Sequence, residues 1–89
     1  MTQQTLDGKV AVITGAGRGI GKAIALAYAQ AGAKIGCLAR TASEIDATVQ
    51  EIEEKGGQGI AIQTDVTDHL MVQNAIEKVF NTYKKMDIM

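Results

Sequence analysis

Three glycines, Gly15, Gly19 and Gly21, preceded by Thr14, mark the place in this chain where a phosphate group would be held. A polyphosphate needs backbone N–H donors gathered at the start of a helix, where several are unpaired and the helix dipole is positive. It also needs them unobstructed by side chains. The segment Thr14-Gly15-Ala16-Gly17-Arg18-Gly19-Ile20-Gly21 lies between a β-branched apolar run, Val10-Ala11-Val12-Ile13, and an alanine-rich stretch. The pattern predicts a strand, a tight turn and a helix that opens on the turn. Gly15 turns the chain off the strand, Gly19 admits the phosphates closely, and Gly21 lets the helix pack near the strand. The residues from Gly15 through Gly21, namely Gly15, Ala16, Gly17, Arg18, Gly19, Ile20 and Gly21, are therefore candidates for binding a nucleotide pyrophosphate.

A second group sits at Leu38-Ala39-Arg40, the expected end of the next strand. An acid there would accept hydrogen bonds from an adenosine ribose, whereas a cation would favour a ribose 2'-phosphate. Ala39 stands where the acid would be and Arg40 follows it, with Arg18 in the glycine turn as a second cation. Guanidinium groups stay charged and bond phosphates bidentately. The expected cofactor is NADP(H) rather than NAD(H).

Three units of strand and helix position these residues. Val10–Ile13 is followed by a helix on which Ile20, Ala23, Ile24, Ala27 and Tyr28 recur at helical spacing, and Gly32 ends it. Ile35–Ala39 is the second strand. Thr41 and Glu44 then form a capping-box pattern ahead of Ile45, Val49 and Ile52. Gly59–Gln63 is the third strand, and Thr67 or Asp68 caps a helix carrying Val72, Ala75, Ile76, Val79, Phe80 and Tyr83 on one face. Asp87-Ile88-Met89 reads as the opening of a fourth strand. Such alternation predicts an α/β, doubly wound, partial Rossmann fold with a parallel sheet in the order 3-2-1-4. Residues 1–89 form the N-terminal part of one NAD(P)-binding domain, and residues 1–5 are expected to be disordered.

The glycine spacing, Thr-Gly-x-x-x-Gly-x-Gly, differs from the commoner Gly-x-Gly-x-x-Gly, although Gly17 invites that reading. It resembles the nucleotide-binding signature of the short-chain dehydrogenase/reductase family. Leu6–Ile13 is similar to that family's first strand and Asp65-Val66-Thr67-Asp68 to the end of its third. Within the family the segment resembles the 3-oxoacyl-carrier-protein reductase-like members most. The resemblance implies that Asp65 accepts a hydrogen bond from the adenine amine and that the Val66 amide faces the ring. It further implies hydride transfer between nicotinamide and a carbonyl or alcohol substrate, with a serine, a tyrosine and a lysine downstream of an Asn-Asn-Ala-Gly segment. None of these lies within the 89 residues, so no catalytic residue is assigned and the chain alone is expected to be inactive. Neither Tyr28 nor Tyr83 has a lysine four residues on. A full-length form is expected to be a homo-oligomer acting on a small-molecule carbonyl or alcohol. The alternative is a non-catalytic module that sequesters nucleotide or pairs through the edge of Val10–Ile13.

Composition narrows the rest. A net charge of −1 and 9 Lys and Arg residues offer no basic stripe for nucleic acid. The lone Cys37 and lone His69 give neither a disulfide nor a metal-ligand spacing. Cys37 lies among apolar neighbours as a packed thiol, and His69 belongs to the surface. No apolar stretch is long enough to span a bilayer and none has the pattern of a leader. A cytoplasmic location is expected.

Overall fold

The computed structural model describes residues 6–88, so the expectation for residues 1–5 lies outside the described residues. The elements are β1 (Val10–Thr14), α1 (Gly19–Gln30), β2 (Lys34–Ala39), α2 (Ala42–Glu54), β3 (Gln58–Gln63) and α3 (His69–Tyr83). The strands form one parallel sheet in the order β1-β2-β3, with Val10 opposite Lys34 and Lys34 opposite Gln58. Ile88 pairs in parallel with Ala11 on the free side of β1. The chain thus begins a fourth strand where expected, and the sheet reads 3-2-1-4.

Side chains alternate across the sheet, as strand geometry requires. Ala11, Ile35 and Cys37 pack with Ala25 of α1 and with Ile45 and Ile52 of α2 on one face. Val10, Val12 and Leu38 pack with Ala75 and Val79 of α3 on the other. Gly36 makes the second contact possible, because a Cβ there would lie 2.6 Å from Val79 Cγ2. The result is three layers, with α1 and α2 together and α3 opposite.

Helix α1 departs from expectation. Ile20, Ala23, Ile24 and Ala27 are exposed, and the helix buries Ala25 with Leu26, Tyr28 and Ala29 packed beside it. The face turned to the sheet centres on Ala25, the buried residue of the helix, with Leu26 and Tyr28 packing at its flanks. On α3, Ala75 and Val79 are buried and Val72, Ile76 and Tyr83 half-buried, but Phe80 is exposed. Lys22 Nζ lies 3.0 Å from Glu51 Oε2, yet off the direction of a hydrogen bond, so this link between α1 and α2 is a charge contact of small worth.

The caps also differ. Thr41 occupies the N-cap of α2 without a side-chain bond, and Glu44 donates its own N–H to the Thr41 carbonyl at 3.2 Å. The reciprocal capping box is not formed, because the Glu44 side chain is turned toward Gly17. At α3 the choice between Thr67 and Asp68 falls to Asp68, whose Oδ1 accepts from the amides of Leu70 and Met71 at 3.0 and 3.2 Å.

The outer edge of β1, which the module alternative would leave open to a partner, is partly paired. Val10 O accepts from the amides of Asp87 and Ile88, and Val12 N–H donates to Ile88 O at 2.8 Å. Val10 N–H donates to Asp87 Oδ2 at 2.9 Å. That bond, first, and Lys85 at 3.3 Å hold the Asp87 carboxyl below its ordinary value of 3.8. A depressed carboxylate contributes stability that is fully present above its unfolded value and is lost as pH falls through its folded one. Urea unfolding should therefore show a lower midpoint for Asp87→Ala than for the native chain at pH 7. That gap should close as pH drops below 3.8; a gap that stays constant down to pH 2 would contradict the Asp87 lock.

Candidate functional site

The glycine turn lies at the carboxyl end of β1 and leads directly into α1. Gly15 and Gly19 adopt positive φ, 64° and 61°, which side chains rarely tolerate. Gly21 is required by contact instead, since a Cβ there would fall 2.1 Å from Gly15 O and 2.6 Å from Gly15 C. Gly17 has ordinary φ, but its Cβ would sit 2.7 Å from Glu44 Cβ. Read from spacing alone Gly17 looks incidental, whereas in the fold it lets α2 rest on the turn.

Arg18 is the N-cap of α1 and makes no side-chain cap bond, and the first turn holds no acid. The amides of Gly17, Arg18, Gly19, Ile20 and Gly21 donate to no acceptor among the described residues. Unlike α3, which is closed by Asp68, α1 opens with its donors uncommitted and its positive dipole end bare. This is the physical specification of an anion site. Ala16 is the exception within the turn. It is buried, its N–H points to Leu38 O at 3.4 Å, and its carbonyl accepts from Thr48 Oγ1 at 2.9 Å. Ala16 shapes the turn and has no free donor to offer. Ile20 is 80% exposed, and its contribution to the turn is an uncommitted amide.

An open cleft of about 290 Å³ is lined by Gly15, Gly17 and Arg18 from the turn and by Ala39, Arg40, Thr41 and Glu44 after β2. The structure thereby brings Arg18 and Arg40 to one cavity beside the glycine turn. Gln63 of β3 fixes the backbone there, donating from Nε2 to Arg40 O at 3.0 Å. Asp65 and Val66 do not line this cleft; they follow β3 farther along the same edge of the sheet. Asp65 Oδ1 accepts from the Thr67 hydroxyl at 2.7 Å and the Thr67 amide at 2.9 Å. The Thr67 hydroxyl, then its amide, and finally the charge of Arg40 keep the Asp65 carboxyl below its ordinary value of 3.8. Asp65 is thus an ionised acceptor with Oδ2 left over, and Val66 beside it is 55% exposed.

Three contributors escaped the sequence reading. The spacing of Glu44 marks it only as a capping partner of Thr41, and Gln63 carries no signal beyond its place in the third strand. Thr48 does carry one, since it is a hydroxyl set among Ile45, Val49 and Ile52 on the buried face of α2.

A larger cavity, about 540 Å³, lies at the opposite end of the sheet between the ends of α1 and α2. Helix carboxyl ends turn carbonyls and a negative dipole toward it, and ligands of open α/β sheets bind at the other end. Burial pushes the Cys37 thiol up to about 12, which leaves it protonated and unreactive. Among the described residues no group of three His, Cys, Asp or Glu side chains is placed to hold a metal, and no helix is long and apolar enough to cross a membrane.

Residues 9–89 match the model of the short chain dehydrogenase family. The short-chain dehydrogenase/reductase homolog YusS of Bacillus subtilis is 42% identical over 82 residues, which cover 91% of this chain and 75% of that one. The crystal structure of a hydroxysteroid dehydrogenase from Escherichia coli superposes with a TM-score of 0.93 at 39% identity, over 96% of this chain and 36% of its own. A metagenomic short-chain oxidoreductase solved in complex with NADP gives a TM-score of 0.89 at 32% identity, over 94% of this chain and 38% of its own. The chain therefore spans about a third of the length of these two solved oxidoreductases. A glycine turn with five uncommitted amides, set at the carboxyl edge of a 3-2-1-4 sheet and matched along nearly its whole length, places this chain in the short-chain dehydrogenase family.

Proposed function

We propose that this chain is the NADP(H)-binding part of an oxidoreductase that moves hydride between nicotinamide and a carbonyl or alcohol substrate. The observation that carries the reading is the run of uncommitted amides from Gly17 to Gly21 beside a cleft holding both Arg18 and Arg40. The residues present fit the cofactor, because the turn is one that a Cβ at Gly21 would fill and its helix end lacks the acid that closes α3. The amides would hold the pyrophosphate, and Arg40 with Arg18 the 2'-phosphate. Asp65 would use Oδ2 to accept from the adenine amine, its Oδ1 being taken by Thr67, while Val66 faces the ring. The bound nicotinamide supplies the hydride.

The proton donor and the groups that orient the substrate belong, in this reading, to further polypeptide carrying the family's serine, tyrosine and lysine. The second apolar stripe of α1, with Ile20 80% and Ile24 38% exposed, supports it. A helix apolar on two sides is built to be covered on both. We assign the 3-oxoacyl-carrier-protein reductase-like subtype only as a proposal of substrate class, since a hydroxysteroid dehydrogenase shares 39% identity over the same region. A second reading, a stand-alone nucleotide-binding module, is favoured by the match over 75% of YusS. Reading the coding frame beyond Met89 separates the two. A continuing frame with Asn-Asn-Ala-Gly and Tyr-x-x-x-Lys supports the enzyme, and a stop codon supports the module.

Calorimetric titration tests the cofactor. The chain should bind NADP+ about 10- to 100-fold more tightly than NAD+, the return on one or two charge-assisted hydrogen bonds. Equal affinities would remove the assignment to NADP, and failure to bind either would remove the cofactor reading.

A further inference from the structure

The structure assigns Thr48, on α2 and outside the glycine turn, as a positioning residue that aims the turn at the pyrophosphate. Its role rests on the cofactor reading above. Thr48 is fully buried, and its hydroxyl lies 2.9 Å from Ala16 O and 3.1 Å from Glu44 O. The second contact is within one helical turn and is open to any helical threonine. The first crosses 32 residues of sequence to reach the turn.

The geometry of the peptide bond makes that contact consequential. The unit joining Ala16 to Gly17 is planar and trans, so its C=O and N–H point in opposite directions. A donor that holds Ala16 O toward α2 therefore sends the Gly17 N–H away from α2. That amide is the first of the uncommitted donors. On the other side of Ala16, its own N–H is directed to Leu38 O, so both ends of the residue are fixed by neighbouring elements. Gly17 completes the arrangement, since only without a Cβ can Glu44 Cβ lie against it and bring Thr48 within reach. Helix α1 provides the dipole, and α2 sets the plane of the peptide from which the donors start.

Thr48→Val removes the hydroxyl while keeping the shape, and Thr48→Ser keeps the hydroxyl. NADP+ and adenosine 2'-monophosphate, which has no pyrophosphate, are titrated into each 89-residue chain, with thermal melts alongside. In Thr48→Val the dissociation constant for NADP+ should rise about 5- to 30-fold, the effect of misplacing a donor by one to two hydrogen-bond equivalents. Binding of adenosine 2'-monophosphate should stay within about twofold, because Arg40 and Asp65 are untouched, and Thr48→Ser should restore NADP+ affinity to within about threefold. A purely structural role would lower the melting temperature yet leave NADP+ affinity of the folded variant unchanged, and that outcome overturns the assignment. Equal losses for both ligands overturn it too, as does a Thr48→Ser chain no better than Thr48→Val. Should the valine variant not fold, Thr48→Ala, which puts no methyl against the carbonyl, gives the same reading. A native chain that binds adenosine 2'-monophosphate but gains nothing from the pyrophosphate overturns the positioning role alone, and one that binds neither overturns the cofactor reading with it.

Discussion

Gly21→Ala is expected to leave the chain unfolded or nearly so at 37 °C and without measurable dinucleotide affinity. The added Cβ would meet the carbonyl oxygen of Gly15 at 2.1 Å and its carbon at 2.6 Å, and both are backbone atoms of the turn. A flexible side chain could swing aside, but here either the start of α1 or the end of β1 must move. Overpacking of this kind costs about 1–3 kcal/mol where side chains can adjust, and more where they cannot. For 89 residues the usual per-residue range gives a total stability of about 4–13 kcal/mol. A clash between two backbone segments falls above that first range and reaches the lower part of the second, so a single methyl group is decisive. Circular dichroism melts of the two chains, with and without saturating NADP+, measure it. A variant melting within 3 °C of the native chain would show that the helix approaches the strand less closely than the structure has it.

That contact was readable from sequence because it depends on residue type at fixed spacing. The same holds for the sheet. Three short apolar runs separated by helix-length segments leave a parallel arrangement as the natural solution. Helix α1 was harder for a physical reason. Its alanines and isoleucines produce two apolar stripes, one through Ile20, Ala23, Ile24 and Ala27 and the other through Ala25, Leu26, Tyr28 and Ala29. Periodicity marks both and cannot rank them, while packing selects the one that starts from Gly21. The capping box at Thr41 and Glu44 failed for a related reason. A local pattern predicted a local bond, but Glu44 is drawn to the bare backbone at Gly17, 27 residues away in sequence and adjacent in space. Thr48 shows the limit most clearly. A hydroxyl on an apolar face announces that it has a partner, and only the fold reveals that the partner is the carbonyl of Ala16. Arg40 lies at the opposite extreme, because a residue at the end of the second strand of a 3-2-1 sheet must stand near the first turn.

Arg40→Ala is accordingly expected to weaken NADP+ binding by about tenfold or more while changing NAD+ binding less than twofold. Arg40 is exposed and belongs to neither of the two ion pairs formed by the described residues, so its charge is available to a ligand. Its backbone is held by Gln63, which keeps the side chain at the cleft without consuming its donors. Two features place the effect near the lower end of the 10- to 100-fold range. Solvent and salt screen an exposed guanidinium, with a Debye length of about 10 Å at 0.1 M. Glu44 lines the same cleft and sets a carboxylate against the incoming phosphate. The loss on substitution should therefore shrink when the salt is raised from about 0.05 to 0.5 M, whereas a defect of folding would not. Arg18 offers the internal comparison. It enters the cleft from the glycine turn as the second cation, so Arg18→Ala should also weaken NADP+ more than NAD+, though by less than Arg40→Ala. If Arg40→Ala instead weakens both dinucleotides equally at every salt concentration, the cation at the end of β2 is not reading the 2'-phosphate, and the preference for NADP has to be sought in Arg18 and Thr41.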